Sequence, residues 1–392
     1  LRILFTCRSG LGHFHPLVPL ASSLKNADHE VRFACPPEMV VAVREAGFDA
    51  DPIGLSITQS RERVAQEIPE ISSTPPERLR ALMFPRCFAD IELLPRLEGL
   101  LPIVRAWRPE LMIHEMAEFA APLAAALEDI PVVNHSFGPI VAPEIMAQAG
   151  AMAARHWIAA GLPAPDRGGM YTGLYIDVCP PGLQEAHIRS VPCVQPMRHT
   201  PLQSEQTEIA PWLEALGRRP VVTVTLGTVF NTRHPELYRV IVEGLAEFEG
   251  DVIVALGLGV DASSLQPLPE NAQAFSWVPW NEMLTKTTVL VGHGGASSTL
   301  GPLALGIPVV LIPLGADQFV NARRVAAAGA GVILERDGME PSDVRRAVEV
   351  VLSPPVRLAA QRIAAQIAAM PAPSEMVPVL EDYALERRSV QP

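Results

Sequence analysis

The sequence predicts an α/β protein made of two doubly wound parallel-sheet domains, and three observations carry that reading. The chain has 392 residues, more than one hydrophobic core usually organises, so two domains of ordinary size are expected. Short apolar runs alternate with segments of helical periodicity, the pattern of parallel strands joined by covering helices. The alternation breaks down between residues 161 and 206, where prolines and glycines crowd, and then restarts. The first domain is therefore assigned to residues 1–205 and the second to 206–375, with the junction near residues 200–211. A terminal helix covers residues 376–392.

In chain order, residues 2–6 read as a short buried strand, followed by a loop at 7–13 and helical spacing at 17–24. A strand at 30–34 precedes Pro36-Pro37 and a helix at 39–45, stopped by Gly47. Residues 57–78 are polar and contain prolines, which predicts a mobile loop over a cleft. Met83, Phe84, Phe88 and Leu93 then recur at helical intervals between 79 and 101, a stripe that suits core packing or an apolar acceptor pocket. A strand at 111–113, a helix at 119–127 and a strand at 132–133 complete the first half. In the second half, strands are expected at 221–226, 252–256, 274–275, 289–291, 309–312 and 332–334. Helices are expected at 235–248 and 341–352, and an alanine-rich helical tail at 356–385.

The rest of the chain is organised around residues 277–321. An apolar run at 289–291 meets Gly292-His293-Gly294-Gly295, and Ser297, Ser298 and Thr299 then open a helical pattern closed by Gly306. Strand, glycine turn and helix start together present unpaired backbone N–H groups and the positive end of a helix dipole, which suits an anion. Glycine lets a phosphate approach the main chain, and His293 adds a side-chain donor, so the stretch reads as a diphosphate cradle. The first half offers a base: Gly10-Leu11-Gly12-His13 follows the first strand, at the strand end where open α/β sheets place their ligands. It is not a dinucleotide fingerprint, because the third glycine would fall at His15.

The spacing of several of these elements resembles the donor-binding motif of family-1 glycosyltransferases of the GT-B fold, in particular bacterial enzymes acting on natural products. The match comprises W-x-P at Trp277 and Pro279, H-G-G sixteen residues after the tryptophan, a serine pair, and Asp317-Gln318 ahead of Asn321. The resemblance implies two Rossmann-like domains with a cleft between them and a C-terminal helix crossing back to the first. It implies that Trp277, with Val278 beside it, receives the nucleotide base. His293, Gly294, Gly295, Ser297 and Ser298 would hold the diphosphate, Gly227 and Thr228 would form a second phosphate loop, and Asp317 and Gln318 would bind the sugar. His13 would be the catalytic base and Glu115, after the strand at 111–113, the carboxylate that orients it, with Glu118 as the fallback. Met83, Phe84, Phe88 and His135 are the candidates for the acceptor side. Gly257-Leu258-Gly259 is a weaker phosphate candidate, and Asp49-Ala50-Asp51, formally a metal-type D-x-D, has no cradle around it.

Two departures from the family pattern carry information. Relatives using uridine sugars commonly have a ribose-binding glutamate eight residues after the histidine, where this chain has Gly301, and a glutamine after W-x-P, where it has Trp280. Loss of the ribose acceptor suits a thymidine-diphosphate deoxysugar over a uridine-diphosphate donor. The nucleotide sugar is a co-substrate, and neither a metal nor another cofactor is expected.

A formal net charge of −12 disfavours nucleic acid and anionic membranes as partners. No apolar run approaches the ~20 residues of a membrane span. Five cysteines without C-x-x-C spacing suit a reducing cytoplasm. The expectation is an inverting, metal-independent glycosyltransferase moving a sugar to a hydroxyl of a small-molecule acceptor, a polyketide or similar apolar aglycone. A homodimer is left open. A sugar-nucleotide 2-epimerase on the same architecture and a catalytically silent helper are the alternatives.

Overall fold

The computed structural model describes residues 1–201, 211–257 and 259–389. The expected junction at 200–211 and the Leu258 position therefore lie largely outside the described residues. The chain divides into two compact units, one of Leu1–Cys179, Glu185–Thr200 and Met370–Pro392, the other of Pro180–Gln184 and Pro201–Ala369.

The first unit carries a seven-stranded sheet in the order β3-β2-β1-β4-β5-β6-β7, parallel throughout. Its strands are β1 (Arg2–Thr6), β2 (Glu30–Cys35), β3 (Asp49–Pro52), β4 (Leu111–Glu115), β5 (Val132–His135), β6 (Leu174–Asp177) and β7 (Val194–Pro196). The second unit carries six parallel strands in the order β10-β9-β8-β11-β12-β13. These are β8 (Val221–Thr225), β9 (Asp251–Ala255), β10 (Ala272–Phe275), β11 (Val289–Gly292), β12 (Val309–Leu311) and β13 (Gly331–Ile333). Every residue of β4, β8 and β11 is buried, as strands covered by helices on both faces require. In each sheet the strand order reverses once, between β1 and β4 and between β8 and β11. In open α/β sheets such a switch point leaves a crevice at the carboxyl ends of the strands.

Three departures from the sequence reading have physical causes. The segment read as a loop at 57–78 is largely helical: Ile57–Glu67 is an α-helix and Pro76–Met83 another. Ser56 accepts from the Gln59 N–H while the Gln59 side chain accepts from the Ser56 N–H, a reciprocal cap that starts the first helix despite its polar composition. The acceptor-pocket stripe is also not one regular helix. Residues Phe84–Ile91 form a wide π-type turn after Pro76–Met83, and the α-helix resumes over Leu93–Trp107. Strands β6 and β7 fall inside the proline- and glycine-rich region that shows no periodicity. They are short, and β7 ends on Pro196 at the sheet edge, where a missing N–H costs no ladder bond.

The C-terminal residues belong to the first unit. Helix Met376–Ser389 places Tyr383 so that its hydroxyl donates to the Val132 carbonyl (3.1 Å) and accepts from the Leu174 N–H (3.3 Å), and Glu381 pairs with His29. Among the described residues no helix is long and apolar enough to cross a membrane. Among them, too, no group of three or more His, Cys, Asp or Glu side chains could hold a metal ion. Asp51 of the D-x-D stretch lies on edge strand β3 and pairs with Arg32 at 3.3 Å.

Candidate active site

At the switch point of the first sheet, the turn after β1 meets the end of β4. Gly10 has φ +110°, and the short helix Leu11–Phe14 that follows presents His13 at its third residue. The His13 Nδ1–H donates to Glu115 Oε1 at 3.1 Å, bridging 102 positions of sequence. Glu115 is fully buried, while the His13 side chain keeps about a quarter of its surface exposed. The second carboxylate oxygen accepts from the Ala117 N–H at 2.6 Å, so the group is held at both oxygens. Burial pushes the Glu115 pKa up, but His13, Arg8 and the Ala117 N–H offset this and hold it below the usual carboxylate value. An ionised acceptor on Nδ1 orients the ring and leaves Nε2 as the nitrogen turned away from the carboxylate, an arrangement that suits a general base. The Phe137 ring meets the imidazole edge-on, with centroids 5.2 Å apart.

The other candidate carboxylate, Glu118, has a different partner. It forms a buried ion pair with Arg96 and accepts from the Ala120 N–H at 2.8 Å. Arg96 in turn donates to the Cys7 carbonyl at 2.8 Å, and Arg8 pairs with Glu92 at 2.8 Å while lying 3.3 Å above the Phe88 ring. The loop carrying His13 is thus braced by two buried guanidinium–carboxylate pairs, none of which its local sequence announces. Of the acceptor-side candidates, Phe84 is enclosed against Phe119 and Phe88, and His135 sits fully buried in register with Glu115 on the neighbouring strand. Burial lowers the His135 pKa to about 4. Met83 and Phe88 remain half-buried.

The second sheet repeats the plan with different chemistry. The turns after β8 and β11 are neighbours, and the His293 imidazole lies between two glycines. A Cβ at Gly227 or at Gly295 would fall 2.6 Å from its Nε2. Both positions therefore need glycine to leave the ring its place. Gly294 has φ +84°, and helix Ala296–Ala304 starts directly after Gly295 with no side-chain cap on its first turn. The N–H groups of that turn have no intrahelical partner, and Ser297 and Ser298 lie there half-buried. Burial lowers the His293 pKa to about 4 against the opposing charge of Asp317, so the ring is neutral at pH 7 and contributes a donor rather than a charge. Thr228 is exposed, and the Gly227 N–H donates to Thr225 Oγ1 at 3.2 Å.

Trp277 is 57% exposed, a flat apolar face turned to solvent, while its neighbour Val278 is buried in a small cluster with Met283 and Leu213. The two departures from the family pattern meet: Trp280 Nε1 lies 3.9 Å from the position of a Cβ at Gly301. Asp317 is half-buried, with Oδ2 accepting from Asn321 at 2.9 Å. Gln318 is buried, and its Oε1 accepts from the Leu314 and Gly315 N–H groups at 2.7 and 3.1 Å, so its oxygen is engaged within the loop.

Comparison with known proteins agrees with this geometry. The family model described as erythromycin biosynthesis protein CIII-like matches through its N-terminal domain at residues 22–227 and through its C-terminal domain at 239–383. The chain is similar to L-demethylnoviosyl transferase of Streptomyces niveus, at 31% identity over all of both chains. It is also similar to 3-alpha-mycarosylerythronolide B desosaminyl transferase of Saccharopolyspora erythraea, at 27% identity over 99% of each. Among solved structures, spinosyn rhamnosyltransferase SpnG superposes with a TM-score of 0.82 at 26% identity, covering 97% of this chain and 100% of that one. A structure of SpnG complexed with thymidine diphosphate gives 0.81. Two Rossmann-like parallel sheets, glycine turns at both switch points and these relatives lead to one conclusion: the chain belongs to the erythromycin biosynthesis protein CIII-like family, bacterial natural-product glycosyltransferases of the GT-B fold.

Proposed function

We propose that the chain is an inverting glycosyltransferase that moves a deoxysugar from a thymidine-diphosphate donor to a hydroxyl of a bulky, apolar aglycone. The observation that carries the reading is the His13–Glu115 pair at 3.1 Å, a partly exposed imidazole backed by a buried ionised carboxylate. His13 Nε2 takes the acceptor proton as the hydroxyl oxygen attacks the anomeric carbon from the face opposite the diphosphate. The bond from that carbon to the diphosphate oxygen breaks, and the pair of electrons leaves with the diphosphate. The uncapped N–H groups at the start of helix Ala296–Ala304, with neutral His293 and Thr228, take up the charge as it develops. Gly227, Gly294, Gly295, Ser297 and Ser298 line this cradle, and Asp317 meets the sugar from a loop that Gln318 holds in shape. Trp277 stacks on the base, with Val278 anchoring it in the core. Gly301, with Leu284 and the Trp280 Nε1 around the place a side chain would take, offers no carboxylate to a ribose hydroxyl, which supports thymidine over uridine nucleotides. The spinosyn aglycone complex of SpnG supports a large apolar acceptor, which Met83 and Phe88 would meet. The buried thiols of Cys7, Cys35 and Cys87 suit a cytoplasmic setting.

The test compares thymidine and uridine diphosphate by thermal shift. At about a hundred times its Kd a nucleotide stabilises the fold by about 2.7 kcal/mol, so the preferred base is read directly. NMR of the product of a thymidine-diphosphate sugar and a macrolide aglycone should show the opposite anomer. Equal shifts for the two nucleotides, or retained configuration, would refute the donor or the mechanism respectively.

A further inference from the structure

The inference concerns Asn321 and rests on the reading of the second unit as a nucleotide-sugar site. Asn321 lies on helix Gln318–Ala327 and is 4% exposed. Its Nδ2 donates in two directions, to the Gly294 carbonyl at 2.8 Å and to Asp317 Oδ2 at 2.9 Å. Both partners can only accept, so the amide nitrogen, not the oxygen, must face them. The two partners belong to different parts of the donor site. Gly294 is the left-handed residue of the turn that cradles the diphosphate, and Asp317 is the carboxylate assigned to the sugar.

Asn321 joins these two elements through its side-chain hydrogen bonds. The D-Q loop holds its own shape through Gln318 Oε1, which closes on Leu314 and Gly315. The Gly294 turn packs on that loop by contact alone, with the Gln318 carbonyl 3.3 Å from the position of a Cβ at 294. Packing keeps the two elements adjacent but does not aim a carboxylate, because the Asp317 side chain retains rotational freedom about its own bonds. The bond from Asn321 removes it by fixing Oδ2, which leaves Oδ1 to accept from a sugar hydroxyl.

We propose that Asn321 is a positioning residue that locks the Asp317 carboxylate to the diphosphate turn, so that one buried amide sets the distance between phosphate recognition and sugar recognition. Without Nδ2, the N–H groups of helix Ala296–Ala304 still receive a diphosphate. The carboxylate, however, no longer points at a fixed place. Asn321 therefore tunes affinity for the nucleotide sugar and not for the nucleotide.

The test is isothermal titration of the full chain with thymidine diphosphate and with thymidine-diphosphate glucose. It is performed on the wild type, Asn321→Ala, Asp317→Ala and the double variant, with thermal unfolding of each as a fold control. Asn321→Ala should bind thymidine diphosphate within about twofold of wild type and the sugar nucleotide about tenfold more weakly, the scale of one hydrogen bond to a charged group. Asp317→Ala should show the same split, and the double variant should lose no more than either single one, because Asn321 acts through Asp317. Should Asn321→Ala not fold, Asn321→Ser, which keeps one donor, is read by the same ratio and should show a smaller split. Equal weakening of both ligands, additive losses in the double variant, or a wild type that does not distinguish them overturns the role of Asn321 alone. A wild type that binds neither thymidine nor uridine diphosphate overturns the nucleotide-sugar reading, and this proposal with it.

Discussion

The turn after β1 and the turn after β11 each flank the reversal of strand order in their sheet, on opposite sides of it, and they are built from opposite materials. The first is a charged structure: His13 on Glu115, Arg8 on Glu92, Arg96 on Glu118, all but His13 nearly or fully buried. The second contains no ion pair of this kind among the described residues. It consists of main-chain N–H groups, a neutral imidazole wedged between glycines, and an amide that ties the next loop to it. A base must have its proton affinity set by a neighbouring charge, whereas an anion cradle must offer donors without filling the space the anion needs. Each turn meets the end of the neighbouring strand across the reversal: a glutamate on β4 for the first, a glycine after β8 for the second.

That contrast predicts where each turn breaks. The largest effect falls on the charged one: His13→Ala should lower turnover by about a thousandfold or more while thymidine-diphosphate affinity stays within about twofold. Glu115→Gln, which keeps shape but removes the charge behind Nδ1, should cost about a hundredfold or more in turnover. Equal losses of turnover and nucleotide affinity in His13→Ala would mean that the histidine is not the base. Next in size, Gly227→Ala should do the reverse. Its methyl group needs the volume of His293 Nε2, so nucleotide affinity should fall about tenfold or more and the thermal shift should shrink. An unchanged affinity in this variant would place the cradle elsewhere.

The smallest effect separates the two turns by acid. Burial lowers His114, His135 and His199 in the first unit, and His293 in the second, from 6.5 to about 4. Each stays neutral in the fold but takes up a proton when unfolded below pH 6.5, so stability is lost as pH falls from 6.5 towards 4. Glu92 and Glu115, both held below the usual carboxylate range, add to the loss in the first unit at the acid end. Hydrogen exchange corrected for intrinsic rates should therefore show β4 and β5 losing protection before β11 over this range. Simultaneous loss would refute the difference between the units.

Much of this molecule was legible in the residue order, because its chemistry sits in short local patterns. Alternating apolar runs announced most strands, since a buried parallel strand is a run of apolar residues. The glycine turn at 292–295 and the loop at 7–13 announced the turns that flank both reversals of strand order, since a strand, a glycine and a helix start follow one another in each. The resemblance put Glu115 first as the histidine partner and Glu118 as the fallback, but no local pattern gave the physical reason for the choice. That choice was made by Arg96, which claims Glu118 from a helix distant in the chain, and by the pairing of β1 with β4. The helix at 57–67 was masked by its polar composition, and β6 and β7 by their shortness among prolines, because their partners lie in other strands. Composition and local spacing determined the fold class, the two turns and the kinds of side chain in them. Only tertiary structure decided which charges meet, why Gly227 and Gly295 must lack a side chain, that Trp280 lies near Gly301, and that Asn321 joins two loops. Those are contacts between residues far apart in the chain, and their energies depend on distances that no local pattern encodes.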